Sequence, residues 1–407
     1  MPSSFARLVG SNLAAQSAEQ LSLAAVPMVA VLALDAGAGE IGLLGAAQTL
    51  PFLLFSIPFG VLADRGPRLR LLLASEMLRA LALAALLALV LLPLAPPLAL
   101  LGLLGFAGAV GTVGFSVAAP ALLPGLVPAS QLARANGRME LARSAAFAGG
   151  PALAGALVGA AGAPAVFVLA TLLSCAAVAL LWRIEEPALP TPARRHPWHE
   201  LQEGAGFVWR HPLLRPVLLT AVAWNIAWFV LQAAYLPYAL RALGLGPGAA
   251  GLTLAACGAG MVCGALAAPR LLAVLPFGRA IQFGPVVSVL AALTMLATLA
   301  VPQGWLAAVS FFLFGAGPIL WAITSTTLRQ RQVPAALLGR ASALYLTANA
   351  GARPLGAALG AGVGSAAGEE ACLWLSAAGF LVQAAVILAS PLGRLDAADG
   401  QPPLRGR

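Results

Sequence analysis

Runs of ~18 or more apolar residues recur along this chain almost from end to end, and no other feature constrains its fold as tightly. A helix rises about 1.5 Å per residue, so such a run crosses a hydrocarbon layer of ~30 Å. Only 9% of the 407 residues are charged, where soluble domains carry about 25%. A deficit spread over the full length makes lipid the solvent for most of the chain. The expected class is an all-α membrane protein.

Apolar runs between polar or Pro/Gly breaks give twelve helix candidates. The first six are 6–33, 40–63, 70–93, 98–119, 139–160 and 163–182; the second six are 213–240, 248–274, 279–301, 304–328, 336–364 and 369–392. The organisation expected is therefore a first six-helix bundle over 1–182, a linker over 183–212, a second bundle over 213–393 and a tail over 394–407. Within the linker, Trp198, Leu201, Ala205 and Val208 stand at helical spacing, which predicts a short helix lying on the membrane surface.

Every basic residue is Arg, and their placement sets the orientation. With the N-terminus in the cytoplasm, the outer loops hold only Arg241, together with Asp35, Glu40, Glu369 and Glu370. Both ends are then cytoplasmic. The net charge of +9 does not suggest nucleic acid, because the charges are scattered singly rather than clustered. Cys175, Cys257, Cys263 and Cys372 lie in apolar segments without ligand spacing and read as packing residues. "HPWHE", His196 to Glu200, lacks the order of a zinc-protease motif. All three histidines fall in the linker, so neither a metal site nor an intramembrane enzyme is expected.

The halves resemble each other. Gly60 to Asp64, "GVLAD", aligns with Gly264 to Ala268, "GALAA"; "LVPASQLAR" from Leu126 aligns with "QVPAALLGR" from Gln332. Related halves about an axis along the membrane normal are a transporter architecture, with the site between them near the midplane.

These motifs resemble the major facilitator superfamily. "GVLADRGPRLR", Gly60 to Arg70, is similar to that family's loop between its second and third helices. "AGGPALAG", with Gly150, Pro151 and Gly155, resembles the motif of proton-coupled exporters in the fifth helix. The paired segments around residues 120–155 and 328–360 resemble the branch of macrolide and siderophore (enterobactin-type) exporters. The resemblance implies twelve helices in two pseudo-symmetric halves and alternating access. It further implies export of a small amphipathic compound against protons, with no cofactor beyond the proton motive force and a monomer in a bacterial inner membrane. It makes Gly60, Asp64, Arg65, Arg68 and Arg70 a cytoplasmic latch, with Asp64 capping the start of the eleventh helix near Pro334. Two departures stand out: Ala268 replaces the second Asp, and the fourth helix has no intramembrane Arg. An importer or uniporter of the same fold is the rival reading.

Ionisable groups at depth are costly and mark function. Glu19 sits about 18 Å into the first helix, on a polar face with Asn12, Gln16 and Gln20. It is the candidate for proton coupling, for substrate binding, or for both in competition; the alternative is a neutral Glu bonded to a neighbouring helix. Glu76 with Arg79, and Glu140 with Arg143, are i, i+3 pairs assigned to the inner latch. Asn225, Trp228, Gln232 and Tyr235 form a polar-aromatic stripe in the second half, expected to line the cavity with Trp321, Thr324 and Asn349. Arg353 either faces that cavity or snorkels away from it.

Overall fold

The computed structural model describes residues 3–93, 96–128, 131–186 and 197–394. Twelve α-helices follow one another: α1 (Ser3–Leu34), α2 (Ala38–Arg65), α3 (Arg68–Leu91), α4 (Leu98–Leu126), α5 (Leu132–Ala161) and α6 (Ala163–Trp182), then α7 (Pro197–Arg210), α8 (Leu214–Arg241), α9 (Pro247–Val274), α10 (Phe277–Ala300), α11 (Gly304–Gln332) and α12 (Ala335–Leu388). Among the described residues, eleven of them are long and apolar enough to cross a membrane. Large side chains stand exposed around the outside, among them Leu81, Leu141, Leu172, Leu252 and Leu266. That suits a surface solvated by acyl chains.

The last helix holds the two spans expected over 336–364 and 369–392, joined at a sharp break. It runs for 54 residues without a coil, roughly 80 Å if straight, but Gly368 takes φ 79° and ψ −176° within it. Glycine reaches that region without the Cβ clash other residues meet. There the chain folds back: Cys372 donates to the carbonyl of Gly360 at 3.4 Å, twelve residues that would lie about 18 Å apart in an unbroken helix. Gly356 in the first arm packs on Ile226, and Gly379 in the second on Ala227, both of α8. The two arms thus run side by side. Elsewhere the sequence ends α4 too early, since Pro120 and Pro124 lie inside the helix rather than after it.

Helices α1–α6 pack chiefly on one another, and so do α8–α12; α2 meets α12 and α5 meets α9 across the groups. We call the end holding Ser3 and Arg394 the terminal end and the other the distal end. The close approaches between groups use small residues. A Cβ on Gly42 of α2 would stand 2.5 Å from the Ala361 nitrogen of α12, and one on Gly251 of α9 would stand 2.5 Å from the Pro151 carbonyl of α5. Gly155 meets Pro247 and Gly251 in the same way. All these positions lie toward the distal end. There Arg241, closing α8, donates to the Asp35 carboxylate at 2.7 Å, to the Asp35 and Ala36 carbonyls at 2.6 and 3.0 Å, and to Glu369 at 3.3 Å. Asp35 holds φ 52° to present both of its oxygens.

At the terminal end, Glu186 accepts from the backbone N–H of Arg68 at 2.6 Å and of Leu69 at 3.2 Å. A carboxylate there answers the orphan donors and positive end of α3. The loop after Gly60 therefore meets its carboxylate through backbone; the Nε of Arg68 is buried without a partner. The side chains of Asp64 and Arg65 lie outside the described residues, so the expected cap on α12 does too. Linker residues 187–196 and the tail from 395 also lie outside them. Helix α7 docks on protein along part of its predicted membrane face: Val208 is fully buried with Leu214, Ala341 and Tyr345, and Glu203 pairs with Arg340. The side chains of Trp198 and Leu201 lie outside the described residues.

Two outcomes follow. In a background lacking the four native cysteines, Gly251→Leu wedges α5 from α9. A cysteine placed at Ala38, buried in the other seam, should then react severalfold faster with an impermeant maleimide. His211 accepts from the N–H of Leu213 and Leu214 at 3.2 and 3.3 Å through Nδ1, and burial holds its pKa below the ordinary value. Its contribution is complete above pH ~6.5 and falls away as acid protonates the ring. Detergent-phase melting followed against pH should show that loss in wild type and not in His211→Asn.

Candidate functional site

Between the two groups, near mid-depth, a cavity of about 140 Å³ is lined by Glu19 of α1, Gln48 and Phe52 of α2, Arg79 of α3, Thr112 of α4, Phe229 of α8 and Arg353 of α12. The seams just described close it toward the distal end. Its walls mix aromatic and aliphatic surface with a few convergent polar groups, the usual make-up of a small-molecule site.

The polar groups are arranged in two layers. Behind the cavity, Glu76 and Arg79 form a bidentate pair in the interior of the first group. Ser174 of α6 donates to Glu76 at 2.5 Å, Arg79 donates to Thr112 at 3.2 Å, and the guanidinium lies 5.6 Å from the Phe115 ring. Glu76 is fully buried and Arg79 only 2% exposed. Both charges are thus met by hydrogen bonds on every side, as a buried pair requires. The glycine stripe of α4 makes this possible. A Cβ on Gly111 would stand 3.1 Å from the Arg79 Cβ, and Gly105 takes in Gln48. Close packing is what those glycines provide.

In front, Glu19 reaches Arg79 at 3.8 Å, a long contact to a cation already shared. Arg353 lies over the Phe52 ring at 5.2 Å. It makes no ion pair among the described residues, and its Nε is buried without a hydrogen-bond partner. Of the two readings the sequence left open for Arg353, the one that faces the cavity holds.

Several expected site residues lie elsewhere. Asn12 donates to the Met139 carbonyl of α5 at 3.0 Å, and the Gln20 Cβ packs where a Cβ on Gly150 would fall. The polar face of α1 therefore turns partly to α5, and Gln16 is absent from the lining, which continues through Ser22 and Leu23. Glu76 and Arg79 belong to the interior network rather than to a latch. Glu140 and Arg143 do pair, on the exposed side of α5, and do not bridge to the second group. Tyr235 is 1% exposed, bonded to Thr253 and packed 4.4 Å from Phe311, so it is core. Trp228 stacks on Trp224 and meets Phe311 and Phe314 edge-on. It stands beside the cavity rather than on its wall. Asn225 bonds Asn349 at 3.4 Å, tying α8 to α12; Gln232 is half-buried away from the lining. Thr324 bonds its own helix and borders a separate recess with Phe277 and Arg331 at the terminal end. Trp321 packs on the cluster beside it.

Gln48, Thr112 and Ser174 were missed because each is a single small or amide residue in an apolar run. Their signal was their register with the charges opposite, which only tertiary packing supplies.

Removing Arg79 alone strands a fully buried carboxylate. Arg79→Ala should cost ~3–5 kcal/mol, read as a lowered melting temperature in detergent. Glu76→Gln with Arg79→Gln should recover most of that loss.

No curated protein sequence matches this chain. Solved structures do. The POT family transporter PepTSo superposes with a TM-score of 0.78 at 12% identity, over 97% of this chain and 98% of that one. A bacterial homologue of the iron transporter ferroportin matches in its inward-facing state with 0.71 at 16% identity, over 95% and 98%. Its outward-facing state with soaked iron matches with 0.61 at 17%, over the same shares. At those identities the likeness speaks to fold, which is that of a major facilitator transporter. The family profile of transmembrane secretion effectors matches residues 18–405, nearly the whole chain. The chain belongs to the transmembrane secretion effector family of the major facilitator superfamily.

Proposed function

We propose that the protein is a proton-coupled exporter of a small amphipathic compound, working by alternating access as a monomer in a bacterial inner membrane. Helices α1–α6 and α8–α12 act as the two rocking halves, and both chain ends face the cytoplasm. One observation carries the reading: a carboxyl from one helix group and an arginine from the other face a single mid-depth cavity whose distal side is sealed. The predominance of Arg at the terminal end argues that this end is cytoplasmic, so the conformation is the one that loads from inside. The better superposition on an inward-facing than on an outward-facing neighbour supports that assignment. The family's description as secretion effectors supports export.

Glu19 is the proton-carrying group. It lies in the cavity, 15% exposed, and its one ion-pair contact is long and shared. A carboxyl so placed changes its charge at modest cost, whereas Glu76 is locked by three hydrogen bonds. Proteoliposomes with an internal pH dye, challenged with lipophilic cations, neutral macrolides and siderophore-like anions, test the reading. Substrate-triggered proton movement is expected in wild type, and its loss to the level of protein-free vesicles in Glu19→Gln. Substrate movement without protons in either protein would leave a uniporter instead; proton and substrate moving in the same direction would leave an importer.

A further inference from the structure

Charge accounting around the cavity leaves one group held only by a long contact and one without an ion pair among the described residues. Glu76 and Arg79 satisfy each other with Ser174 and Thr112, and Glu140 satisfies Arg143. What remains is Glu19 on α1 and Arg353 on α12. No ion pair joins them among the described residues, where the one that Glu19 makes is with Arg79. The buried Nε of Arg353 has no hydrogen-bond partner. Uncompensated charge in a low-dielectric interior is costly. Two such charges of opposite sign, on opposite helix groups, flank a space walled by Phe52 and Phe229.

We propose that this space takes a zwitterionic amphipathic solute, its ammonium on Glu19 and its carboxylate on Arg353, with its apolar part against Phe52 and Phe229. This rests on the reading of the cavity as the transport site. A cationic solute would leave Arg353 unanswered, and an anionic one would leave Glu19. The guanidinium, 5.2 Å from the Phe52 ring centre, carries the forked N–H donors with which Arg recognises a planar anion better than Lys. A volume of about 140 Å³ is close to the ~150 Å³ that houses one benzene ring in an apolar cavity. The solute spans α1 and α12, so binding ties the two groups together at mid-depth.

The same arrangement sets the sign of coupling. A proton on Glu19 removes the partner of the ammonium, so proton and solute exclude each other, which is what exchange requires. The other charges that face Glu19 are Arg79 and Glu76 from α3, Arg353 from α12 and Arg143 from α5. Of these, Arg79, Glu76 and Arg143 already have partners of their own.

Binding of three matched probes to the full chain in detergent tests the proposal: phenylalanine, which carries both charges, 2-phenylethylammonium and 3-phenylpropionate. Calorimetric Kd values should favour phenylalanine over each single-charge analogue by roughly tenfold or more, the worth of one charged hydrogen bond. Arg353→Met should bring phenylalanine to the level of the ammonium probe, and Glu19→Gln to the level of the carboxylate probe. Arg353→Lys and Glu19→Asp should keep part of the preference, which separates recognition from misfolding. Protonation of Glu19 by acid should weaken phenylalanine binding in wild type, and acid should have no such effect in Glu19→Gln. Either single-charge probe binding as tightly as phenylalanine overturns the proposal, and so does the binding of none. If that happens while Glu19-dependent proton movement persists in vesicles, the transporter reading stands without it. If proton movement is absent while the charge pattern holds, the solute class stands and the coupling falls.

Discussion

Lipid offers helices no hydrophobic reason to leave it for one another, so the two groups hold together only where backbone can reach backbone. In this protein that contact is made by glycines and alanines: Gly39 and Gly42 on α2 against Ala361 and Ser365 on α12, and Gly155 on α5 against Gly251 on α9. The rest of the architecture depends on those two seams. They lie toward one end, so the molecule is shut there, and the polar cavity at mid-depth lies beyond them. The same small-residue logic works inside the first group, where α4 lets the Arg79 side chain lie against its backbone.

Once the seams fix the frame, the ionisable groups divide by how completely they are paired. Glu76 and Arg79 are saturated with partners and serve as a rigid wall. Glu19 holds only a long contact to Arg79, and Arg353 makes no ion pair among the described residues. This division is not one of depth alone, since Glu19, Arg79 and Arg353 border the same space. It follows from neighbours: Ser174 and Thr112 stand behind the wall, and Arg353 lies over the Phe52 ring.

The all-α class and most helix limits were legible in the sequence because each rests on a local property, the length of an apolar run. So was the place of Glu19 at depth, where it lines the cavity. Which way a helix turns was not legible. The polar face of α1 read as one stripe, yet Asn12 bonds the α5 backbone while Glu19 faces the cavity, because Gly150 lets the two helices close up between them. The aromatic stripe of α8 likewise read as lining, but Tyr235 found Thr253 and Phe311 and became core. Arg79 looked like part of a surface latch because its distance along α3 says nothing of the serine and threonine that await it on α6 and α4.

The clasp at Arg241 has a further consequence. Two of its acceptors are backbone carbonyls, those of Asp35 and Ala36, and carbonyls neither titrate nor exchange counterions as carboxylates do. Acid and changing salt erode an exposed carboxylate–guanidinium pair. A closure anchored on the shape of the chain at Asp35 keeps half its grip when that chemistry is titrated away. The distal end of the fold thus stays shut largely independently of the charge on the carboxylates around it.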